Sequence, residues 1–279
     1  MREGLKTAAR RVARAIGASP VLWSGVGARL AHLGDLLRRG RQSAVQAAEA
    51  TLRSSPVFAD HRVLGGPFSG LRYPSLQTFG STLYPKLTGS YECELVPWLE
   101  RLRSRPYTTI HDIGCAEGYY AIGLARLFPG AKVYAYDIDP AARDACRAMA
   151  LANGIAERLV VGGAVTTADL CRLDLQERGL VLCDCEGCEA ALFTAEVVQH
   201  LEAYDLIVEL HDFVDPAISR TLRPRFGASH DVSVVAATPR DPARFPVLRS
   251  LPALAREVAL DELRPGPMEW LLAESRVPR

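Results

Sequence analysis

The stretch His111-Asp112-Ile113-Gly114-Cys115-Ala116-Glu117-Gly118-Tyr119-Tyr120 decides the fold. It follows a short strand-like run, Thr108 to His111, and opens an apolar helical pattern from Gly118 to Leu127. A strand, a glycine-bearing turn and a helix in that order make the first half of a βαβ unit, which binds ligands beyond the carboxyl end of its strand. Gly114 permits the tight turn, the small Ala116 and Gly118 let a ligand approach the backbone, and the amides from Tyr119 onward are available to a carboxylate. Asp112 either holds the loop or receives an amino group.

Outward from this loop, short apolar runs alternate with helical patterns, the sign of a doubly wound, mostly parallel α/β sheet. Strands are predicted at Lys132–Tyr136, 159–162, 180–183 and 206–210, with further candidates at 232–236 and 269–272. Asp139-Pro140 and Asp215-Pro216 each pair an N-cap with proline at the first helical position. Ser90 is expected to cap a helix through Leu102, with Glu92 and Glu94 at its positive end. The connection containing Arg264-Pro265-Gly266-Pro267 is expected to place a loop over the strand ends. Upstream, residues 4–16 and 28–53 read as helices separated by Ser19-Pro20 and Gly25 to Gly27. Residues 54–90 are rich in Gly, Pro, Ser and aromatics and read as an ordered connector. Three regions are expected: a basic helical segment over 1–55, a connector or lid over 56–84, and an α/β domain over 85–279.

Residues 1–60 hold ten Arg or Lys against four Asp or Glu, although the chain as a whole carries only +1. Lys6, Lys86 and Lys132 are the only lysines, so this Arg-rich segment reads as a solvated helix face, and nucleic acid is not an expected partner. Seven cysteines without regular spacing argue against a disulfide framework and for a reducing compartment, with cytoplasm the expected location. The uncharged run from Ala15 to Ala28 is too weakly apolar for a signal peptide. No stretch is apolar over a membrane-spanning length.

The ligand of the loop follows from its departures from the dinucleotide fingerprint. Tyr119 stands where the last glycine of G-x-G-x-x-G belongs, and Glu117 would repel a pyrophosphate. A zwitterionic amino-acid tail next to a sulfonium meets no such objection. Asp137 ends the second strand, nineteen residues after Gly118, where a carboxylate accepts both ribose hydroxyls. Ile138 is placed to cover one adenine face and Ala164 with Val165 the other.

Asp112-Ile113-Gly114, Val133 to Pro140, Asp184-Cys185-Glu186-Gly187-Cys188-Glu189 and Glu209-Leu210-His211 together resemble the FkbM-type family of class I methyltransferases over about residues 85 to 215. The resemblance implies a Rossmann-like sheet of seven strands with the last antiparallel, S-adenosylmethionine as cofactor, and methyl transfer to a hydroxyl oxygen. The Cys-Ala-Glu turn and Asp137 differ from the family's commoner residues. Residues 1–84 lie outside the match.

Asp184, Glu186, Glu189, Glu209, His211 and Asp212 cluster after the fourth and fifth strands, where the methyl group should point. His211 is the candidate base and Asp184 the orienting acid for an alcohol acceptor. Three alternatives stay open: a structural His211 bonded to a carboxylate, a divalent metal on Asp184, His211 and Glu209 or Asp212, and zinc on Cys183, Cys185, Cys188 and His211. No metal is assigned. The expected acceptor is a small molecule, sugar or natural product, and the N-terminal helices are candidates for homodimer contact. Methylation of nitrogen or nucleic acid is disfavoured, because no Asn-Pro motif follows the fourth strand. A non-catalytic binding or assembly module is the remaining alternative.

Overall fold

The computed structural model describes residues 2–174 and 178–277. The chain forms two compact units, Met1–Arg53 and Ser54–Arg279.

The described residues of the first unit are helical on either side of Ser19: Arg2–Ala18, Pro20–Leu22, a π-helical turn Trp23–Gly27, and Ala28–Ser54, whose last residue lies at the unit boundary. Ser19 caps the second segment, accepting from the Leu22 amide, with Pro20 at the first helical position. The glycines at 25 and 27 therefore do not break the helix, as their composition suggested; they sit inside the π turn. Gly27 is needed there because a Cβ would lie 2.5 Å from the Trp23 ring and 2.9 Å from Ile16. Val12, Val21, Trp23, Leu30, Leu33, Leu36 and Leu37 are exposed.

The second unit is built on a seven-stranded sheet: β1 Thr109–Ile113, β2 Lys132–Tyr136, β3 Leu159–Gly162, β4 Gly179–Cys183, β5 Asp205–Leu210, β6 His230–Ala236 and β7 Glu269–Ser275. Their spatial order is β3-β2-β1-β4-β5-β7-β6, with β7 antiparallel to both neighbours and the other pairs parallel. β1, β4 and β5 are buried along their whole length, as apolar strands covered by helices on both faces must be. This is the doubly wound, Rossmann-like seven-stranded sheet expected from the sequence, preceded by a helical extension. The order reverses between β1 and β4, which is where such sheets open a crevice beyond their carboxyl ends.

Two helix starts differ from expectation. Ser90 donates its hydroxyl to the Pro85 carbonyl instead of capping a helix, and the following helix begins only at Val96, after a 3-10 turn Cys93–Leu95. The connector contains a short helix, Leu83–Thr88, that closes at Gly89. After β5, Asp215 accepts from the Ala217 amide and Asp212 from the Ser219 amide, so both acids serve the start of Ile218–Gly227.

The loop after β1 is fixed by contact with the chain leaving β4. Gly114 has φ +85°, and a Cβ there would lie 1.7 Å from the Asp184 carbonyl oxygen. The Asp184 amide donates to the Ile113 carbonyl at 2.9 Å, so the two strand ends are laced together. Gly114→Ala combines left-handed strain with an unavoidable clash and is expected to cost about 2–6 kcal/mol of stability, read as a lowered denaturant midpoint. An unchanged midpoint would show that this approach is not the constraint it looks to be.

Candidate active site

A cavity of about 520 Å³ lies beyond the ends of β1, β2, β3 and β4. That is the size of a small-ligand pocket. Of the residues singled out from sequence, Gly114, Ala116, Tyr119, Asp137, Ile138, Ala164, Val165 and Asp184 line it. Asp112, Glu117, Gly118 and His211 lie outside the lining.

Asp137 shapes the β2 side. The Ala116 amide donates to its Oδ2 at 2.9 Å and the Asp139 amide to its Oδ1 at 2.8 Å. Each oxygen keeps a second lone pair for a further donor, as paired ribose hydroxyls require. Ala116 has φ +47°, a left-handed value that its bond to Asp137 helps hold. Ile138 is 80% exposed, so its side chain is free to be covered by a flat apolar ligand.

Glu117 lies outside the cavity lining and is engaged by the connector. Its Oε1 lies 2.5 Å from the Lys86 ammonium and accepts the Tyr73 hydroxyl at 3.1 Å; its Oε2 accepts the Phe79 amide. This one carboxylate thus ties the connector to the loop. Phe68 adds an apolar tie by packing edge-on against Tyr119 and Tyr120. As a result Phe79, Gly80, Ser81, Lys86 and Tyr91 form part of the cavity wall. The sequence suggested a connector that wraps the domain or covers a pocket, without singling out Lys86 or Tyr91. A lone lysine between prolines and aromatics was the available signal.

Asp112 sits behind the loop. It is fully buried, and neither carboxylate oxygen makes a well-formed hydrogen bond among the described residues, although the Ala121 backbone amide lies close enough to favour the carboxylate. Burial pushes its pKa up to about 8, and the Asp184 charge adds to the rise. An orphaned carboxyl of this kind is costly unless a cationic donor meets it.

The β4 and β5 ends carry the densest charge. His211, 1% exposed, holds its Nδ1 2.6 Å from Glu189 Oε1, while Asp184 and Glu186 approach its Nε2. Burial alone would lower the His211 pKa, but the Glu189 hydrogen bond and the charges of Glu189, Asp184 and Glu186 outweigh it and raise it. Glu189 also accepts the Cys185 and Gly187 amides, fixing the loop after β4. Cys185 and Cys188 are joined by a disulfide, a local bond within that loop rather than a framework, while Cys183 is a buried free thiol in β4. The zinc set of three cysteines with His211 is therefore not present. Asp212, which serves the helix start, is not part of the cluster.

Glu92 and Glu94 stand at the start of the 3-10 turn Cys93–Leu95, but their charges are spent on ion pairs. Glu92, at φ +46°, accepts the Tyr120 hydroxyl and pairs with Arg264 at 3.0 Å, and Glu94 pairs with Arg240 at 2.7 Å. Arg264 also reaches Glu209 at 3.0 Å and Glu262 at 2.7 Å. The Arg264 loop thus closes over the β5 end through ion pairs. Glu92 is pushed up to about 8, because burial outweighs the Arg264 charge.

A family model described as ribosomal protein L11 methyltransferase (PrmA) matches residues 93–183, from the 3-10 turn before Val96 to the end of β4. The chain matches no curated protein sequence. Among solved structures it is similar to cofactor-bound Rv0187 from MTB, at 18% identity over 64% of this chain and 78% of that one, with a TM-score of 0.46. It is also similar to an O-methyltransferase from Bacillus cereus in complex with SAH, at 16% identity over 64% and 78%, TM-score 0.44. A third is TomG from Streptomyces achromogenes, an O-methyltransferase involved in tomaymycin synthesis and solved with SAM, at 14% identity over 64% and 81%, TM-score 0.42.

Lys86 and Glu117 are 3% and 2% exposed, so removing one leaves the other buried without a counter-charge. Lys86→Ala is expected to cost about 3–5 kcal/mol in chemical denaturation, and Lys86→Met with Glu117→Gln to recover part of it. A single-variant loss under about 1 kcal/mol, the level of exposed pairs, would contradict that picture.

Proposed function

We propose that the chain is an S-adenosylmethionine-dependent methyltransferase acting on a hydroxyl of a small molecule, sugar or natural product. The observation that carries this reading is the charge of the cavity. Asp137, Asp139, Asp184 and Glu186 line it, and Lys86, its single lining cation among the described residues, is neutralised by Glu117. A phosphate-bearing ligand meets repulsion there; a ligand with a sulfonium and an ammonium meets attraction. The sheet order and the match of residues 93–183 to a methyltransferase family model support the same reading.

The residues fit such a donor. Asp137 has lone pairs left for the ribose, Ile138 and the Ala164–Val165 turn flank the adenine position, and Asp112 supplies an unsatisfied carboxyl for the amino group. The donor brings an electrophilic methyl group. The chain's part is to align the acceptor and relieve it of a proton. Asp184 is the better placed group for the acceptor, since it lines the cavity and His211 does not. His211, pinned by Glu189, lies outside the lining with its Nε2 3.4 Å from Asp184, where it favours the ionised Asp184 carboxylate. Among the described residues no helix is long and apolar enough to cross a membrane. The exposed Leu30, Leu33 and Leu37 support self-association of the N-terminal helices, for which light scattering at dimer mass is the check.

Incubation with radiolabelled methyl donor and a fractionated metabolite extract tests the reaction: label in a base-stable small-molecule ether supports it, while donor binding without any labelling fits the assembly-module alternative. Asp137→Ala should weaken donor binding by about 1–3 kcal/mol in calorimetry, the scale of lost charge-assisted hydrogen bonds. Asp112 gives a linked prediction. With its pKa near 8 the ligand-free carboxyl is largely protonated at about pH 7, whereas the donor's ammonium favours the carboxylate, so binding expels a proton. Donor affinity should rise with pH toward 8, and titrations in buffers of different ionisation enthalpy should show proton release that Asp112→Asn abolishes. Release that persists in that variant would exclude Asp112 as its source.

A further inference from the structure

His211 presents a ring nitrogen with nothing to bond. Its Nδ1 is taken by Glu189, and the side chain is 2% exposed. Among the described residues Nε2 makes no hydrogen bond, yet it faces Asp184 Oδ1 at 3.4 Å, Glu186 Oε2 at 3.5 Å and Glu209 Oε2 at 3.6 Å. Asp184 Oδ1 is itself sealed from solvent without a partner. These separations exceed hydrogen-bond lengths of about 2.7–3.2 Å. The separations to Asp184 and Glu186 come close to the edges of a tetrahedron around a cation with bonds of about 2.0–2.1 Å, which are about 3.3–3.4 Å long. One ligand atom each from Asp184, Glu186 and His211 lie within 4.8 Å of one another.

We infer that Asp184, Glu186 and His211 form a binding site for a divalent transition metal, zinc foremost, with Glu189 as the positioning residue that orients the imidazole. A carboxylate on the far nitrogen of a ligating histidine fixes the tautomer and raises its basicity, the role Glu189 fills. Imidazole with two carboxylates suits zinc or manganese better than magnesium, which prefers oxygen and retained water. Glu209 lies nearby, but Arg264 already balances its charge. The cation would relieve the repulsion among the remaining acids. Three protein ligands leave a position open, and because Asp184 and Glu186 line the cavity, that position faces the space beyond the donor's methyl group. An acceptor oxygen at that position rests on the methyl-transfer reading; metal binding does not.

The full chain, stripped with chelator and titrated with zinc in the absence of donor, tests the site. One equivalent per chain is expected, and cobalt in place of zinc should give the intense visible bands of a tetrahedral ion. Asp184→Asn and His211→Ala should each weaken zinc binding by about 100-fold or more, and Glu189→Gln by about 10–100-fold. Cys185→Ser with Cys188→Ser should leave zinc affinity within about threefold, since neither thiol is a ligand in this assignment. Should a ligand variant fail to fold, the cobalt spectrum and zinc stoichiometry of the wild type still decide. Absence of stoichiometric zinc, the weak spectrum of octahedral cobalt, or binding lost in the cysteine variant and kept in His211→Ala would each overturn the assignment. No donor enters these measurements, so their failure leaves methyl transfer standing, and failed label transfer leaves the metal result standing.

Discussion

The approach of Gly114 to the Asp184 carbonyl is the constraint on which the site depends. With no room for a Cβ between them, the turn after β1 and the chain leaving β4 share one narrow seam at the switch point of the sheet. That seam sets the separation between the two halves of the cavity. On one side, the loop from Gly114 to Gly118 gives its Ala116 amide to Asp137. On the other, Asp184 leads into the loop that Glu189 organises. The same backbone contact that stabilises the sheet end thus brings the Asp137 and Asp184 carboxylates into a single space.

Charge around that space is sorted by the same packing. Lys86 is held by Glu117, Arg264 by Glu92, Glu209 and Glu262, and Arg240 by Glu94 and Glu262. These cations are spent on buried acids outside the cavity lining, while Asp137, Asp184 and Glu186 are left on the wall itself. Ion pairs this deep contribute little net stability, because desolvation offsets their attraction. Their effect here is to leave the cavity electronegative and to fasten the connector and the Arg264 loop over it.

Much of this was legible in the sequence because it is local. β2 and β3 begin and end where their apolar runs do, Gly118 precedes its helix as the turn residues imply, and Asp139 caps the next helix with Pro140 behind it. The acids after β4 and β5 were readable as one cluster because adjacent strands bring consecutive segments together. What was not legible depends on partners distant in sequence. Glu117 read as a ligand contact because nothing near it announces Lys86, thirty-one residues away, and Glu92 read as a helix-start charge because its partner Arg264 comes 172 residues later. The π turn at Trp23–Gly27 was hidden by its glycines, whose propensity argues for a break. His211 was readable as part of the cluster, but not as a residue outside the cavity lining whose Nδ1 is held by Glu189.

A crystal structure of the full chain grown with the demethylated donor product tests the account most directly. The ribose hydroxyls should lie within hydrogen-bond distance of the Asp137 carboxylate, the amino group should approach Asp112, and the sulfur should face Asp184. Product bound elsewhere, or this crevice taken instead by a phosphate-bearing molecule, would contradict it.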